Sequence, residues 1–120
     1  MIGVAAAGVM ALGAQPATAV VKYDTKLTLV HLENDRVYHG RVYSEVGKCE
    51  PGRKVVLFRQ DRGADTRLGK DRSFIGSSGP WGQWWILGRP EGRPVYAKVR
   101  PKERDRFVCR ADRSPSWTYE

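Results

Sequence analysis

Apolar and polar residues alternate along most of the chain from residue 26 onward, and turn residues interrupt the alternation every eight to twelve positions. In the most apolar segment, Val55 and Leu57 share one face. Val56 and Phe58 share the other, because successive side chains of a β-strand point to opposite sides. No stretch of ten or more residues in this region shows helical spacing without an interrupting Gly or Pro. We therefore predict an all-β fold, a single antiparallel β-sandwich of about seven short strands, with strands at residues 26–32, 36–44, 53–60, 81–87, 95–100 and 106–111 and a polar hairpin within 61–71.

The last two predicted strands, residues 95–100 and 106–111, are expected to pair through a connection at 101–105. Their even positions carry four cations, and a strand cannot bury unpaired charges. The odd positions are therefore predicted to face the core, which leaves a basic outer surface. The inward set is Val95, Ala97, Val99, Phe107, Cys109 and Ala111, and the outward set is Lys98, Arg100, Arg106 and Arg110.

Residues 1–19 carry no charge and include an apolar run that is too short to cross a bilayer, which needs about 20 residues. Ala17-Thr18-Ala19 has the small-x-small pattern of a signal-peptide cleavage site. We therefore expect a signal peptide at 1–19, a β-sandwich domain at 20–114 and a C-terminal tail at 115–120. The alternative is an N-terminal core helix. Export predicts a secreted protein with no transmembrane segment after cleavage.

The chain has two cysteines, Cys49 and Cys109, sixty residues apart. In an exported domain this number favours one disulfide, which would stabilise the fold by about 4 kcal/mol in the chain-entropy model. A free thiol and a metal site are the alternatives. Zinc ligands usually lie two to four residues apart, and neither cysteine has another Cys or a His within eight residues.

Several short motifs occur in an order that resembles the order of motifs in a known group of domains. Residues 39–44 form a Gly-x-Val-x-Ser strand, 49–53 a Cys-x-x-Gly-Arg loop and 55–58 a Val-x-Leu-aromatic strand. Gly82-Gln83-Trp84, Tyr96-Ala97-Lys98-Val99 and Cys109 follow. The order is similar to that of small secreted bacterial β-sandwich domains, the transthyretin-like or carboxypeptidase-regulatory-like (Ig-like) accessory domains. The resemblance covers residues 27–114 and implies an extracellular accessory module without catalytic residues.

The sequence shows little that would support catalysis. With a turn at Asn34-Asp35, His31 pairs with Tyr38 and Val30 with His39, so the two histidines point to opposite faces and cannot share a metal ion. Neither a nucleophile elbow nor a phosphate-binding loop motif occurs. We therefore predict no enzyme activity, no cofactor and no metal. A small hydrolase stays open as an alternative, since the carboxylates Glu33, Asp35, Asp65 and Asp71 are free to approach one another in space.

Charged and aromatic residues are the features of the sequence that indicate a binding function. The net charge is +8, and the 21 Lys and Arg residues are dispersed along the sequence. This dispersion is typical of a basic extracellular protein that has no charged binding site. The functional interpretation is attraction to an anionic cell-envelope polymer, and nucleic acid is disfavoured because no motif of a known nucleic-acid reader is present. On a strand, Trp84 and Ile86 would be buried and Trp85 exposed, unless loops or the tail containing Trp117 cover it.

The prediction is a secreted, non-catalytic binding or structural module of unknown specific function. The alternative is a secreted inhibitor or toxin-like effector that acts on an extracellular protein through its basic face and Trp-rich loop. The sequence predicts no oligomeric state. The candidate binding surface comprises Trp81, Trp85, Lys98, Arg100, Arg106 and Arg110.

Overall fold

A computed structural model describes residues 19–32, 34, 36–77, 79–89 and 92–118. Within these residues the chain forms twelve strands and one 3-10 turn, Gly47–Cys49. The strands are β1 Val21–Tyr23, β2 Thr25–Leu27, β3 Val30–Leu32, β4 Val37–Ser44, β5 Lys54–Arg59, β6 Thr66–Arg72, β7 Phe74–Ile75, β8 Gly82–Leu87, β9 Val95–Val99, β10 Lys102–Glu103, β11 Phe107–Cys109 and β12 Asp112–Arg113.

The strands form three sheets, and the two larger ones pack face to face. One has the order β12-β9-β5-β6, and the other has the order β2-β4-β8-β7 with β3 also paired to β4. The third sheet, β1-β11-β10, includes a parallel pair, β1 with β11. The all-β prediction is confirmed. The core between the two larger sheets consists of Leu27, Tyr38, Val42, Trp84 and Ile86 from one and Val55, Leu57, Val95, Ala97 and Val99 from the other.

The predicted pairing of the last two strands is wrong. Strand β9 pairs with β5 and β12, while β11 pairs with β10 and β1. Pro101 lies two residues after the end of β9 and has no backbone N–H, so the ladder does not continue through it. The chain then leaves the four-stranded sheet, and the alternation does not extend to Ala111, which is exposed. The four even-numbered cations are exposed as predicted.

Strand β6 occupies a segment whose polar sequence predicts only a hairpin. It forms because β5 pairs with it along its whole length, from Lys54 opposite Arg72 to Arg59 opposite Thr66. The hairpin of β3 and β4 has the predicted register, with His31 opposite Tyr38 and Val30 opposite His39. The two histidines therefore lie on opposite faces of this sheet.

The predicted disulfide is present, since Cys49 and Cys109 are joined with an S–S distance of 2.00 Å. Both cysteines are fully buried, and Arg53 lies beside them with 1% of its surface exposed. The Arg53 guanidinium donates hydrogen bonds to Thr25 Oγ1, Cys49 O, Arg100 O and Arg110 O, at 2.8 to 3.1 Å. One buried cation thus connects β2, the 3-10 turn and the chain just after β9 and β11.

The two ends of the chain differ in how far the structure describes them. The predicted signal peptide lies almost entirely outside the described residues, which begin at Ala19. In the predicted tail, Trp117 forms an isolated β-bridge with Val95 and packs against the core. Among the described residues, no helix is long and apolar enough to span a membrane.

Candidate functional site

The outward positions of the four-stranded sheet form a surface that we name the basic face. Its residues lie in three cross-strand rows, because paired residues of neighbouring strands share a face. The first row is Arg100, Lys54 and Arg72; the second is Arg113, Lys98, Val56 and Lys70; the third is Tyr96, Phe58 and Arg67. Seven of these ten residues are cations, and none is acidic.

Crowding of like charges on the basic face is visible at Lys54. Arg100 lowers the pKa of Lys54 most, followed by partial loss of hydration and by the charges of Lys70, Arg67 and Arg72. The ion pairs in the described part of the chain lie elsewhere, at Arg59–Asp61, Arg93–Asp61 and Arg110–Asp24. The face therefore carries positive charge that these carboxylates do not neutralise.

A β-bulge in β6 determines which residue completes the third row. Leu57 pairs with Gly69 and Phe58 pairs with Arg67, so Leu68 is the extra residue. Leu68 packs against the core, and Arg67 is exposed on the basic face. In a regular ladder Leu68 would lie opposite Phe58 on the outer face. The bulge thus adds one cation to the surface and one apolar side chain to the interior.

Aromatic rings form part of the floor of the basic face, and cations cover them. The Phe58 and Tyr96 rings stack at 5.4 Å between centroids. Lys98 Nζ lies 5.7 Å from the Phe58 centroid, and Arg113 Cζ lies 3.7 Å from that of Tyr96. The stems of such side chains cover apolar surface while their charges stay in water. A groove of about 480 Å³ runs past these residues and is lined by Val56, Phe58, Lys98, Arg100 and Arg113, among others.

The outward positions of β3, β4 and β8 form a second surface, which we name the apolar face. One cross-strand row is Val30, His39 and Trp85. The next row is Leu32, Val37 and Leu87. Trp85 is 44% exposed and Leu87 is 82% exposed. Both rows consist of uncharged side chains at neutral pH, since burial and then the charge of Arg41 lower the pKa of His39.

Next to these rows, β4 and the start of β8 carry a cluster of a different composition. The Arg41 guanidinium stacks on the Trp81 ring at 4.0 Å and donates a hydrogen bond to Tyr43 Oη at 3.0 Å. The His39 and Trp85 rings stack at 5.0 Å. Trp81 is half-buried under its neighbours, whereas Trp85 keeps an accessible surface.

The six residues of the predicted binding surface do not form one surface. Lys98 and Arg100 lie on the basic face, whereas Trp85 lies on the apolar face and Trp81 adjoins it. Arg106 and Arg110 flank β11 in the third sheet, where Arg110 Nε is 3.6 Å from Asp24 Oδ1. The prediction placed all four cations together because it paired β9 with β11.

Sequence reasoning missed five cations of the basic face. Lys54 precedes the apolar run of β5, Arg113 lies on β12, which was not predicted, and the bulge breaks the alternation of β6. The even spacing of Lys70 and Arg72 was a usable signal once β6 was recognised as a strand. The missed residues are Lys54, Arg67, Lys70, Arg72 and Arg113.

Four carboxylates were the basis of the hydrolase alternative, and those that lie among the described residues accept hydrogen bonds within the protein. Asp65 accepts a hydrogen bond from Tyr96 Oη, and Asp71 accepts one from the backbone N–H of Trp85 at 2.8 Å. Glu33 and Asp35 lie outside the described residues. Trp117, proposed as a cover for Trp85, instead packs against the His31 and Tyr38 rings.

Comparison of the chain with protein-family models, curated proteins and solved structures finds no match. The resemblance to transthyretin-like accessory domains therefore stays a prediction.

Proposed function

We propose that this protein is a secreted, non-catalytic module that binds an anionic polymer at the cell exterior through the basic face. The observation that carries the proposal is the row structure of that face, where seven cations share one side of a sheet, none of the ten residues in the rows is acidic, and Asp65 contacts the rows through its hydrogen bond with Tyr96. An anionic chain laid across it would relieve their mutual repulsion and release its own counterions.

The contacts between cations and rings on the basic face favour a polymer recognised by its charge over single-stranded nucleic acid. Nucleic-acid readers of that kind offer open aromatic rings on which bases stack. Here Lys98 lies over Phe58, and Arg113 lies over Tyr96. The rings support these cations from below, which leaves less of the ring faces open to bases. Successive outward residues of a strand are about 6.7 Å apart, so the rows offer regularly spaced charges to an extended chain.

An exterior location is supported by the buried disulfide between Cys49 and Cys109, because such bonds persist in oxidising compartments. The predicted signal peptide at residues 1–19 points the same way. Amino-terminal sequencing of the protein recovered from the culture medium tests this part of the proposal: it should begin at Val20, and a chain that began at Met1 would contradict export through that signal.

The basic face is tested with the double variant Lys70→Gln, Lys98→Gln. Both lysines are exposed in one row, so the fold should tolerate the change. Retention on immobilised polyphosphate should weaken by about tenfold or more, and the slope of log affinity against log salt should fall by about two. The matched control is Lys22→Gln, Lys26→Gln, two exposed lysines outside the face. Equal effects of the two double variants would show that net charge alone matters and would contradict a defined binding face.

A second candidate function is docking of a protein partner on the apolar face, as expected for an inhibitor or effector. The observation in its favour is the exposure of Val30, Trp85 and Leu87 in two adjoining rows. Tryptophan and arginine are over-represented among residues that dominate protein interfaces, and Arg41 and Trp81 adjoin these rows. Binding of this kind would be insensitive to moderate salt, which separates it from binding through the basic face.

A further inference from the structure

The basic face ends in a cavity at its first row. The cavity has a volume of about 260 Å³ and lies where the chain turns from β9 into β10. Its walls include one carboxylate, Glu103, against six cations. Three of the cations belong to the first row, and three do not: Arg53, Lys102 and Arg104.

The buried residue of this cavity is Arg53. Its four hydrogen-bond acceptors are carbonyl and hydroxyl oxygens, so its positive charge is solvated by neutral groups rather than neutralised by a carboxylate. Its Nε–H is buried and has no hydrogen-bond partner. A buried donor that lacks an acceptor, on a cation that lacks a counterion, is costly for the protein alone.

Lys102 brings a further charge to the same place. Its Nζ donates hydrogen bonds to Lys48 O at 3.0 Å and to Pro51 O at 3.5 Å. Burial lowers the pKa of Lys102 most, and the charges of Arg104 and Arg53 lower it further. Hydrogen bonds to backbone oxygens therefore hold Arg53 and Lys102 close together, although the two cations repel each other.

We infer that this cavity binds a dianionic phosphoryl group, either the end group of a phosphate polymer or free phosphate. A phosphate monoester carries a charge of about −1.5 to −2 at pH 7 and three strong acceptor oxygens, whereas an internal phosphodiester carries a single charge. Clustered arginine forks match such a group geometrically. The inference rests on the proposed function, because the cavity shares Lys54, Arg72 and Arg100 with the basic face.

The test uses the full mature protein and two double variants. The cavity variant is Lys102→Gln, Arg104→Gln, and the single variant Arg104→Gln serves as a milder change, since the Arg104 side chain is exposed and donates a hydrogen bond to a backbone oxygen, that of Glu103. The face variant is Lys70→Gln, Lys98→Gln, whose residues do not line the cavity. Calorimetry with inorganic phosphate should show binding weakened about tenfold in the cavity variant and less than about threefold in the face variant.

A second arm uses polyphosphate with free ends and the same polymer with both ends capped as amides, which removes charge from the terminal phosphoryl groups. Capping should weaken binding to the wild type and leave the cavity variant unchanged if the chain end is the ligand. If phosphate binds but capping has no effect, free phosphate is the ligand. Phosphate binding that is absent, or equal in wild type and cavity variant, overturns the inference. The proposed function is contradicted by a different result: the face variant binds polyphosphate as tightly as the wild type does.

Discussion

The two outer faces of the sandwich are built on the same core, yet they present opposite chemistry to solvent. On the basic face, long cationic side chains cover the aliphatic and aromatic residues beneath them, so that Val56 is 1% exposed. On the apolar face, Trp85 and Leu87 occupy equivalent outward positions and are themselves exposed. The core between the two sheets is apolar, and the inward carboxylates Asp71 and Asp112 accept hydrogen bonds from backbone N–H groups of the other sheet.

The comparison teaches that alternation along a strand determines stability on one side and leaves the other side available for recognition. Inward positions are constrained by packing, because a cavity or an unpaired charge there costs several kcal/mol (about 2 to 5). Outward positions tolerate either a cation, as at Lys98, or an apolar residue, as at Leu87. We therefore expect substitutions in the shared interior to damage both faces, and substitutions on one face to leave the other intact.

The largest effect is expected at Arg53, a buried residue beside the disulfide whose hydrogen bonds connect parts of all three sheets. Arg53→Met removes donors from the buried oxygens of Cys49, Arg100 and Arg110 and should lower the free energy of unfolding by about 3 to 5 kcal/mol. The matched control is Arg113→Met on the basic face, which loses a contact with the Tyr96 ring worth about 0.5 to 1 kcal/mol. Urea unfolding measures both. Similar losses in the two variants would contradict the distinction between interior and surface arginines.

A smaller effect on the free energy of unfolding is expected from a change of pH, and it should distinguish the two faces. Burial, and then the charge of Arg41, hold the pKa of His39 below its ordinary value. The unfolded chain therefore takes up a proton first as the pH falls below about 6.5, so the contribution of His39 to stability is present above that pH and is lost as the pH falls through the folded pKa. NMR titration of the His39 ring should give a midpoint below the unfolded value, and Arg41→Gln should raise it.

Two outcomes would contradict this prediction. A His39 midpoint at or above that of the unfolded chain would remove the pH dependence from the apolar face. Lys98→Gln changes the opposite face. If this variant no longer lost stability as the pH falls through the His39 pKa, the two faces would be coupled electrostatically and would not be independent surfaces.

The smallest effect is expected at Leu87, the most exposed apolar residue of the apolar face. Because 82% of its surface is accessible, Leu87→Ala should change the free energy of unfolding by less than about 0.5 kcal/mol. The control is its neighbour Ile86→Ala, which empties part of the core and should cost about 2 to 5 kcal/mol. Urea unfolding at two protein concentrations measures both. A loss above about 1 kcal/mol at Leu87 would indicate that this face is covered in solution.

The candidate site was partly predictable from the sequence. The exposure of Trp85 beside buried Trp84, and of Lys98 beside Ala97 and Val99, is confirmed because each depends only on alternation within one strand. The grouping of Lys98 with Arg106 and Arg110 was wrong because it depends on which strands pair. Arg53 was missed as a buried cation because an arginine in a polar segment gives no local sign of burial.

By itself, the sequence determined the all-β fold, the disulfide between Cys49 and Cys109 and the register of the β3–β4 hairpin. Alternation, residue type and short turns act over a few neighbouring positions, so they can be inferred locally. Only the tertiary structure decided that cations from β5, β6, β9 and β12 share one face and that six of the chain's cations line one cavity. These depend on strand order, on a bulge and on the burial of Arg53, which arise from contacts between residues far apart in the chain.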